Sequence, residues 1–194
     1  WPGHRPGQFA FAMSNPKEGP HPYTLASAWV PEDRRITFIT KALGDHTRRL
    51  PERLQVGDRV TVEGPYGCFT FDDGRARQIW IGAGIGITPF IARMKYLAQH
   101  KGRDARPVDL FHPTSDADPQ AIEKLRADSQ AAGVALHLFI DKKDGRLTGE
   151  RLRAMVPGWK DASVWFCGPT AFGRALRADL LAQGLEPEAF HQEL

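Results

Sequence analysis

Hydrophobic and polar positions follow different patterns in the two halves of the chain. In residues 1–76 the apolar runs are short, are separated by clusters of Pro, Gly, Asn and Asp, and lie at 8–13, 23–30, 35–41 and 59–63. Short strands with turn signals between them and little helical periodicity predict a small antiparallel sheet or barrel. A single short helix is predicted within 45–54.

Residues 77–194 instead alternate between apolar runs and segments of helical period. Strands are predicted at 78–82, 108–112, 135–141 and 163–167, and helices at 88–100, 118–132, 149–155 and 170–183. Continuously apolar strands are typical of a parallel sheet that helices cover on both faces. The sequence therefore predicts a β domain over 1–76 and a Rossmann-like α/β nucleotide-binding domain over 77–194.

Composition narrows the classes of function. Of the 194 residues, 41% are hydrophobic and 25% are charged, which excludes a disordered or collagen-like chain, and no apolar run approaches the length of a membrane span. Lys and Arg exceed Asp and Glu by 26 − 23 = 3, a small surplus that suits an anionic cofactor and does not indicate nucleic-acid binding. The two cysteines, Cys68 and Cys167, form neither a disulfide framework nor a metal motif, which favours a reducing compartment.

A glycine-rich turn follows the first apolar strand of the second half. Residues 81–89 read Ile-Gly-Ala-Gly-Ile-Gly-Ile-Thr-Pro, so a strand passes through closely spaced glycines into a helix. Glycines let a pyrophosphate approach the backbone, and a helix N-terminus offers it free N–H groups. The spacing differs from the common G-x-G-x-x-G fingerprint, and a tight strand–helix turn without a ligand is the alternative.

Three further turns place polar or reactive groups beside Gly or Pro. Cys167-Gly168-Pro169-Thr170 ends another apolar strand, and ligands gather at the carboxyl ends of parallel strands. A lone cysteine, however, is often a small packing residue. His21-Pro22-Tyr23-Thr24 and Gly64-Pro65-Tyr66-Gly67 each place an aromatic ring and a hydrogen-bonding group at a rigid turn. That arrangement suits a flat heteroaromatic ligand, although it also occurs in ordinary β structure.

Taken in order, the motifs resemble the ferredoxin–NADP reductase superfamily, and within it the ferric reductases and NADPH-oxidase flavoprotein domains. The residues that carry the resemblance are His21-Pro22-Tyr23-Thr24, Gly44-Asp45-His46-Thr47, Gly64-Pro65-Tyr66-Gly67, Gly82–Pro89, Cys167-Gly168-Pro169 and Phe190-His191-Gln192-Glu193. The resemblance implies an antiparallel FAD-binding barrel followed by an α/β domain that binds NADPH or NADH.

The resemblance also implies roles for individual residues. Tyr23 would stack on or edge the isoalloxazine ring, preceded by His21 and Pro22, and Thr24 would offer its hydroxyl near flavin N5. Lys41 would meet the FAD phosphates, although it could equally be a solvated strand residue. The turn near the FAD chain would be shaped by Gly64, Pro65 and Gly67.

In the second half, the pyrophosphate of NAD(P)H would be held by Gly82, Gly84, Gly86, Thr88 and Pro89. Cys167, with Gly168 and Pro169, would lie near nicotinamide C4, and Glu193 near the flavin edge; Thr24, Cys167 and Glu193 are the catalytic candidates. Thr114 and Ser115 could donate to a 2′-phosphate, which Asp116 and Asp118 would repel. Because Lys142, Lys143 and Arg146 follow the next strand, NADPH is slightly favoured over NADH. His46 and His191 are interpreted as packing or surface histidines, since nothing near them in sequence has metal-ligand spacing.

The chain departs from the family at both ends. Members begin with further barrel strands before the region of Gly7, and continue beyond the residue matched by Glu193 with an aromatic residue. We interpret the chain as part of a longer protein, whose exposed barrel strands could pair with another copy.

The resulting functional hypothesis is a ferric reductase-like domain that passes hydride from NAD(P)H to FAD and then single electrons to a haem or iron acceptor. The acceptor would be a haem-bearing membrane domain, ferric iron or a redox protein. The domain would then lie at the cytoplasmic side of a membrane. One alternative is a soluble cytoplasmic flavin reductase that feeds a separate ferredoxin or oxygenase. A second is a redox-inactive nucleotide-binding module.

Overall fold

The computed structural model describes residues 1–116 and 118–192. Its strands are β1 (Phe9–Met13), β2 (His21–Thr24), β3 (Thr61–Tyr66), β4 (Arg77–Gly82), β5 (Val108–Thr114), β6 (Ala135–Ile140), β7 (Ala162–Cys167) and β8 (Phe190–Gln192). Its helices are α1 (Asp45–Arg53), α2 (Thr88–Gln99), α3 (Pro119–Ala132), α4 (Asp141–Asp144), α5 (Gly149–Met155) and α6 (Thr170–Ala182). Short 3-10 turns lie at Gly84–Ile87, Trp159–Asp161 and Pro187–Ala189.

The first half contains an antiparallel sheet in which β1 lies between β2 and β3. Phe9 of β1 is opposite Thr24 on one side and Tyr66 on the other. The two motifs that carry a tyrosine therefore flank the same strand. The predicted antiparallel structure is confirmed, but the described strands form an open three-stranded sheet and not a closed barrel.

The second half contains a five-stranded parallel sheet with the order β6–β5–β4–β7–β8. Strands and helices alternate along the chain, which confirms the predicted Rossmann-like class. The strand order proceeds from β4 outward to β5 and β6, and then returns to the other side of β4 with β7. Neighbouring strands β4 and β7 therefore mark the point at which the order reverses, and Gly82 and Cys167 are paired there.

The strand predictions within 23–41 were too long. β2 ends at Thr24, and beyond it the pairing is reduced to an isolated bridge between Leu25 and Phe38. The Ser27 side chain explains the interruption, because its hydroxyl accepts the hydrogen bond from the N–H of Thr37. A side chain thus takes the place of a backbone partner in what would otherwise be a ladder.

Two apolar clusters cover the two faces of the parallel sheet, and one of them includes the segment that enters β4. Phe71 is fully buried with a positive φ of 61°. Its ring centroid lies 5.2 Å from that of Trp80 and 5.3 Å from that of Trp165. The end of the first half is therefore packed into the core of the second half.

Polar contacts hold the same segment. Arg106 donates to the carbonyl oxygen of Phe71 at 3.2 Å, to Asp73 Oδ1 at 3.0 Å and to Asp104 Oδ2 at 2.8 Å. Asp104 also accepts from Arg93 at 2.8 Å. The hydrogen bond and charge of Arg106, with a smaller contribution from Arg93, lower the pKa of Asp104 from 3.8 to about 2.

This pKa shift predicts how Asp104→Asn changes stability. The Asp104 side chain is 17% exposed, and a shift of this size corresponds to about 2 kcal/mol. Since the pKa is lower in the folded chain, the contribution is present above about pH 4 and is lost as the pH falls toward 2. We expect the variant to lose about 2 kcal/mol of unfolding free energy at pH 7 by urea denaturation followed by tryptophan fluorescence.

The matched control is Asp161→Asn, a change at an exposed aspartate with no ion pair among the described residues. It should change the unfolding free energy by less than about 0.5 kcal/mol. An equal loss for Asp104→Asn at pH 7 and at pH 2.5 would contradict the electrostatic origin.

Candidate functional site

The carboxyl ends of β4 and β7 form the centre of the candidate site. After Gly82 the chain makes a 3-10 turn over Gly84–Ile87 and enters α2 at Thr88. The N–H of Ala83 donates to the carbonyl oxygen of Cys167 at 2.9 Å. The glycine-rich turn and the cysteine turn, which are far apart in sequence, are therefore in direct contact.

Two of the glycines are required by this contact. A Cβ at Gly86 would lie 2.2 Å from the carbonyl oxygen of Cys167, and one at Gly168 would lie 2.7 Å from Ala83 Cβ. These distances are shorter than van der Waals contact, so larger residues at 86 or 168 would push the two turns apart. Gly82 is required within its own turn, where a Cβ would lie 2.8 Å from Ile87 Cα.

Gly84 differs from the other glycines of the turn. A Cβ there would meet nothing within 4 Å, and the residue adopts a φ of +55°. The turn therefore presents open space at Gly84 beside the closely packed residues. Thr88 donates its hydroxyl to the carbonyl oxygen of Ile85 at 2.8 Å and so closes the turn. Pro89, in the first turn of α2, is buried.

Cys167 itself ends β7 and is half-buried. Gly168 follows with a φ of +157°, and Pro169 caps the start of α6. The structure thus brings together the two turns that were predicted from the sequence to lie at one sheet edge.

At the end of β5 the predicted phosphate-binding residues have different environments. The Thr114 hydroxyl accepts from the N–H of Asp116 at 3.1 Å, so it belongs to its own turn, whereas Ser115 is exposed. Lys41 lies 3.9 Å from the Asp116 carboxylate. Lys41, which the resemblance assigned to the FAD phosphates, therefore stands near the carboxyl end of β5.

His112 ties β5 to the glycine turn. Its Nδ1 lies 2.6 Å from the carbonyl oxygen of Gly82. Burial lowers the pKa of His112, the hydrogen bond to Gly82 opposes this, and the charge of Lys41 lowers it further. The ring therefore favours the neutral form beside the turn, and no signal in the sequence analysis singled this histidine out.

The antiparallel sheet positions a second group of predicted residues. Tyr23 of β2 has its hydroxyl 2.9 Å from His46 Nε2, and burial raises its pKa. The Thr24 hydroxyl makes no hydrogen bond within the described part of the chain. A cavity of about 530 Å³ adjoins this strand, with a largely apolar lining that includes Ala12, Tyr23, Phe38, His46, Leu50 and Val62.

The second tyrosine motif lies across β1 from the first. Gly64 and Pro65 are joined by a cis peptide bond within β3. A Cβ at Gly64 would lie 3.2 Å from Ala10 Cβ, so this glycine packs closely on β1. Gly67 leaves the strand with a φ of +99°. These residues shape the end of β3.

Two contacts join the sheets near the site. Lys95 of α2 donates to the carbonyl oxygen of Ala26 at 3.1 Å, two residues beyond Thr24. The ion pair between Lys41 and Asp116 is the second contact.

Glu193, the third catalytic candidate, lies outside the described residues.

His46 packs on a neighbouring ring, as the sequence predicts, but its polar partners were not predicted. Its ring stacks on His21 with centroids 3.7 Å apart, and its Nδ1 lies 2.8 Å from Glu18 Oε2. The Gly44-Asp45-His46-Thr47 motif was the available signal, but sequence distance concealed Glu18. His191 does pack, with its ring stacked on Trp165 at 3.9 Å.

An open antiparallel sheet followed by a parallel sheet with a glycine turn at the reversal of strand order defines a class of fold. Its solved examples include the FAD/NAD-binding domain of the nitric oxide dioxygenase of Vibrio cholerae. That domain superposes with a TM-score of 0.78 at 20% identity, over 98% of this chain and 85% of the other.

Two curated relatives of this chain are reductase subunits of a monooxygenase and of an N-demethylase. The chain is 27% identical over 187 residues to the glycine betaine monooxygenase reductase subunit of Chromohalobacter salexigens, covering 88% of this chain and 50% of the relative. It is 29% identical over 206 residues to the stachydrine N-demethylase reductase subunit of Rhizobium meliloti, covering 98% and 58%. The resemblance to the ferredoxin–NADP reductase superfamily is thereby confirmed.

The chain spans about half the length of the curated relatives it matches, and no family model matches it. Within the described residues, no helix is both long enough and apolar enough to cross a bilayer.

The contact between the two turns predicts the effect of Gly86→Ala. The added methyl group overlaps the carbonyl oxygen of Cys167, so the variant should lose about 1–3 kcal/mol of unfolding free energy. Gly74→Ala is the control, because a Cβ at Gly74 meets nothing within 4 Å. Urea denaturation of both variants tests this, and equal stability of the two would show that the turns separate without cost.

Proposed function

We propose that this chain is an FAD-dependent NAD(P)H reductase module that delivers electrons to a one-electron acceptor. The observation that carries the proposal is the glycine turn of β4 packed against Cys167 where the strand order reverses. In open α/β sheets, nucleotides bind at the carboxyl ends of the strands at this point.

The nucleotide fits the open side of the glycine turn. Gly84 faces free space, while Gly86 and Gly168 are packed. Backbone N–H groups of the turn and of the start of α2 would hold the pyrophosphate, since such groups are free at a helix N-terminus. We assign Cys167 to the nicotinamide end, because it lies at the same sheet edge.

The flavin fits the antiparallel sheet. Thr24 carries a hydroxyl that makes no hydrogen bond to described residues, and Tyr23 borders the apolar cavity. We assign Tyr23, with His21 and Pro22, to the isoalloxazine ring and Thr24 to its polar edge. The strand end at Gly64, Pro65 and Gly67 would border the rest of the FAD.

Bound FAD would supply the chemistry, because it accepts a hydride and releases electrons singly. The chain's residues then act by position. The packed turns fix Cys167 relative to the glycine turn, the apolar lining beside Tyr23 excludes water, and the Thr24 hydroxyl can donate a hydrogen bond. Holding the nicotinamide and isoalloxazine rings against each other is the main contribution that a protein makes to hydride transfer.

We propose NADPH as the preferred nucleotide. The charge of Lys41 offsets that of Asp116 at the end of β5, and the exposed Ser115 can donate to a 2′-phosphate there. This gives Lys41 a role at the nicotinamide nucleotide in place of the FAD phosphates.

We also propose that the chain is divided into an FAD-binding unit over 1–76 and an NAD(P)H-binding unit over 77–194.

We propose a haem or iron–sulfur group of an oxygenase system as the acceptor. The names of the two curated relatives support this, because they are reductase subunits of a monooxygenase and an N-demethylase. Ferric iron and a membrane haem domain are the other candidate acceptors that the family resemblance implies. Neither is favoured by the described residues or by these relatives.

The test is oxidation of NADPH and NADH by the purified protein with added FAD and ferricyanide. We expect flavin-dependent turnover that is faster with NADPH. Thr24→Val should lower kcat about tenfold, because one hydrogen bond of about 1.4 kcal/mol is lost.

Thr61→Val, a change at an exposed position of β3, should leave turnover unchanged. An absence of turnover in a protein that fails to bind FAD would overturn the reductase proposal and leave a nucleotide-binding module.

A further inference from the structure

A cluster of metal-ligating side chains lies beside the antiparallel sheet. Glu18, His21 and His46 each offer a ligand atom, and these three atoms lie within 4.8 Å of one another. The residues come from three separate places: the loop after β1, the start of β2 and the first turn of α1. Folding therefore assembles a set that sequence spacing does not reveal.

One nitrogen of the cluster has an unmet hydrogen-bonding capacity. His21 Nε2 is buried and has no hydrogen-bond partner within the described part of the chain. A buried polar atom without a partner costs free energy. A cation at this position would satisfy it, because a neutral imidazole nitrogen is a metal ligand.

The other two members are already oriented toward each other. His46 Nδ1 lies 2.8 Å from Glu18 Oε2, and its other ring nitrogen lies 2.9 Å from the Tyr23 hydroxyl. Arg53 pairs with the second carboxylate oxygen, Oε1. Oε2 of Glu18 therefore faces His46, and the Arg53 guanidinium orients the carboxylate through Oε1.

We propose that Glu18, His21 and His46 form a binding site for a divalent transition-metal ion of the zinc class. Two imidazoles and one carboxylate are a known ligand set for zinc, and such a set leaves the fourth position open. Ligand atoms about 2.0–2.1 Å from a tetrahedral ion are roughly 3.3 Å apart. The rings of His21 and His46 are stacked, so binding would require them to rotate until one nitrogen of each faces the ion.

The position of the site has a consequence for the flavin, and this step rests on the proposed function. His21 belongs to the motif assigned to the isoalloxazine ring, and His46 contacts Tyr23 of the same motif. A metal ion would hold the first turn of α1 against β2. Zinc and FAD therefore compete for this end of the sheet, and zinc acts as an inhibitor of flavin binding.

The first experiment measures Zn²⁺ binding to the flavin-free protein, without a histidine tag, by equilibrium dialysis. We expect one Zn²⁺ per chain. The affinity should fall at least tenfold in Glu18→Gln and in His46→Gln.

His100→Gln is the matched control. His100 is also a partly buried histidine stacked on a neighbouring ring, with its centroid 4.2 Å from that of Tyr96. It should bind Zn²⁺ within twofold of the unaltered chain. Visible absorption of bound Co²⁺ gives a second readout, and its bands should be lost in His46→Gln and kept in His100→Gln.

Equal Zn²⁺ affinity in His46→Gln and His100→Gln, or no binding to the unaltered chain, would overturn the site. Competition is measured separately, as the change in FAD affinity when Zn²⁺ is added. An unchanged FAD affinity alongside normal Zn²⁺ binding would overturn the competition alone. A protein that binds Zn²⁺ but never FAD would overturn the proposed function and leave the metal site standing.

Discussion

The relative position of the two sheets depends on the packing of Phe71. Its ring lies among Trp80, Phe90 and Trp165, in a cluster on one face of the parallel sheet. Its carbonyl oxygen accepts from Gln78 Nε2 at 2.8 Å and from Arg106. Because both the ring and the backbone of this residue are engaged, the last residues of the first half cannot move independently of β4. Any site that uses residues from both sheets depends on this anchor.

The same anchor explains why the glycine turn of β4 can pack so closely. β4 is fixed on its neighbours by parallel pairing and at its start by the segment around Phe71. Its carboxyl end therefore meets β7 in a fixed register, with Gly82 opposite Cys167. In that register the carbonyl oxygen of Cys167 occupies the space that a side chain at Gly86 would need. Glycine at 86 is thus a consequence of sheet packing, whereas Gly84 adopts a φ of +55° and faces open space.

Much of the second half could be predicted from the sequence because its signals are local. The apolar run at 108–112 and the helical period over 118–132 each specify an element without reference to the rest of the chain. The short strand Phe190–Gln192 could not be predicted, because three residues carry no period and the strand exists only through pairing with β7. Strand ends in the first half were also misjudged, since the Ser27 hydroxyl replaces a ladder partner there.

The candidate site shows the same division between local and long-range information. The glycines after β4 and Cys167 could be predicted as site candidates from the sequence, because each lies in a short motif rich in Gly and Pro. The resemblance assigned Lys41 to the FAD phosphates, but in the structure Lys41 lies beside Asp116. Only the tertiary path of residues 25–41 brings it there, and no local pattern in the sequence specifies that path.

His46 is the clearest case of long-range placement. Its three partners, Glu18, His21 and Tyr23, are at least 23 residues away in sequence and meet it because the first turn of α1 lies against β2. The proposed flavin site and the proposed metal site share His21, and His46 contacts both His21 and Tyr23. The proposed competition between zinc and FAD therefore depends on the position of His46.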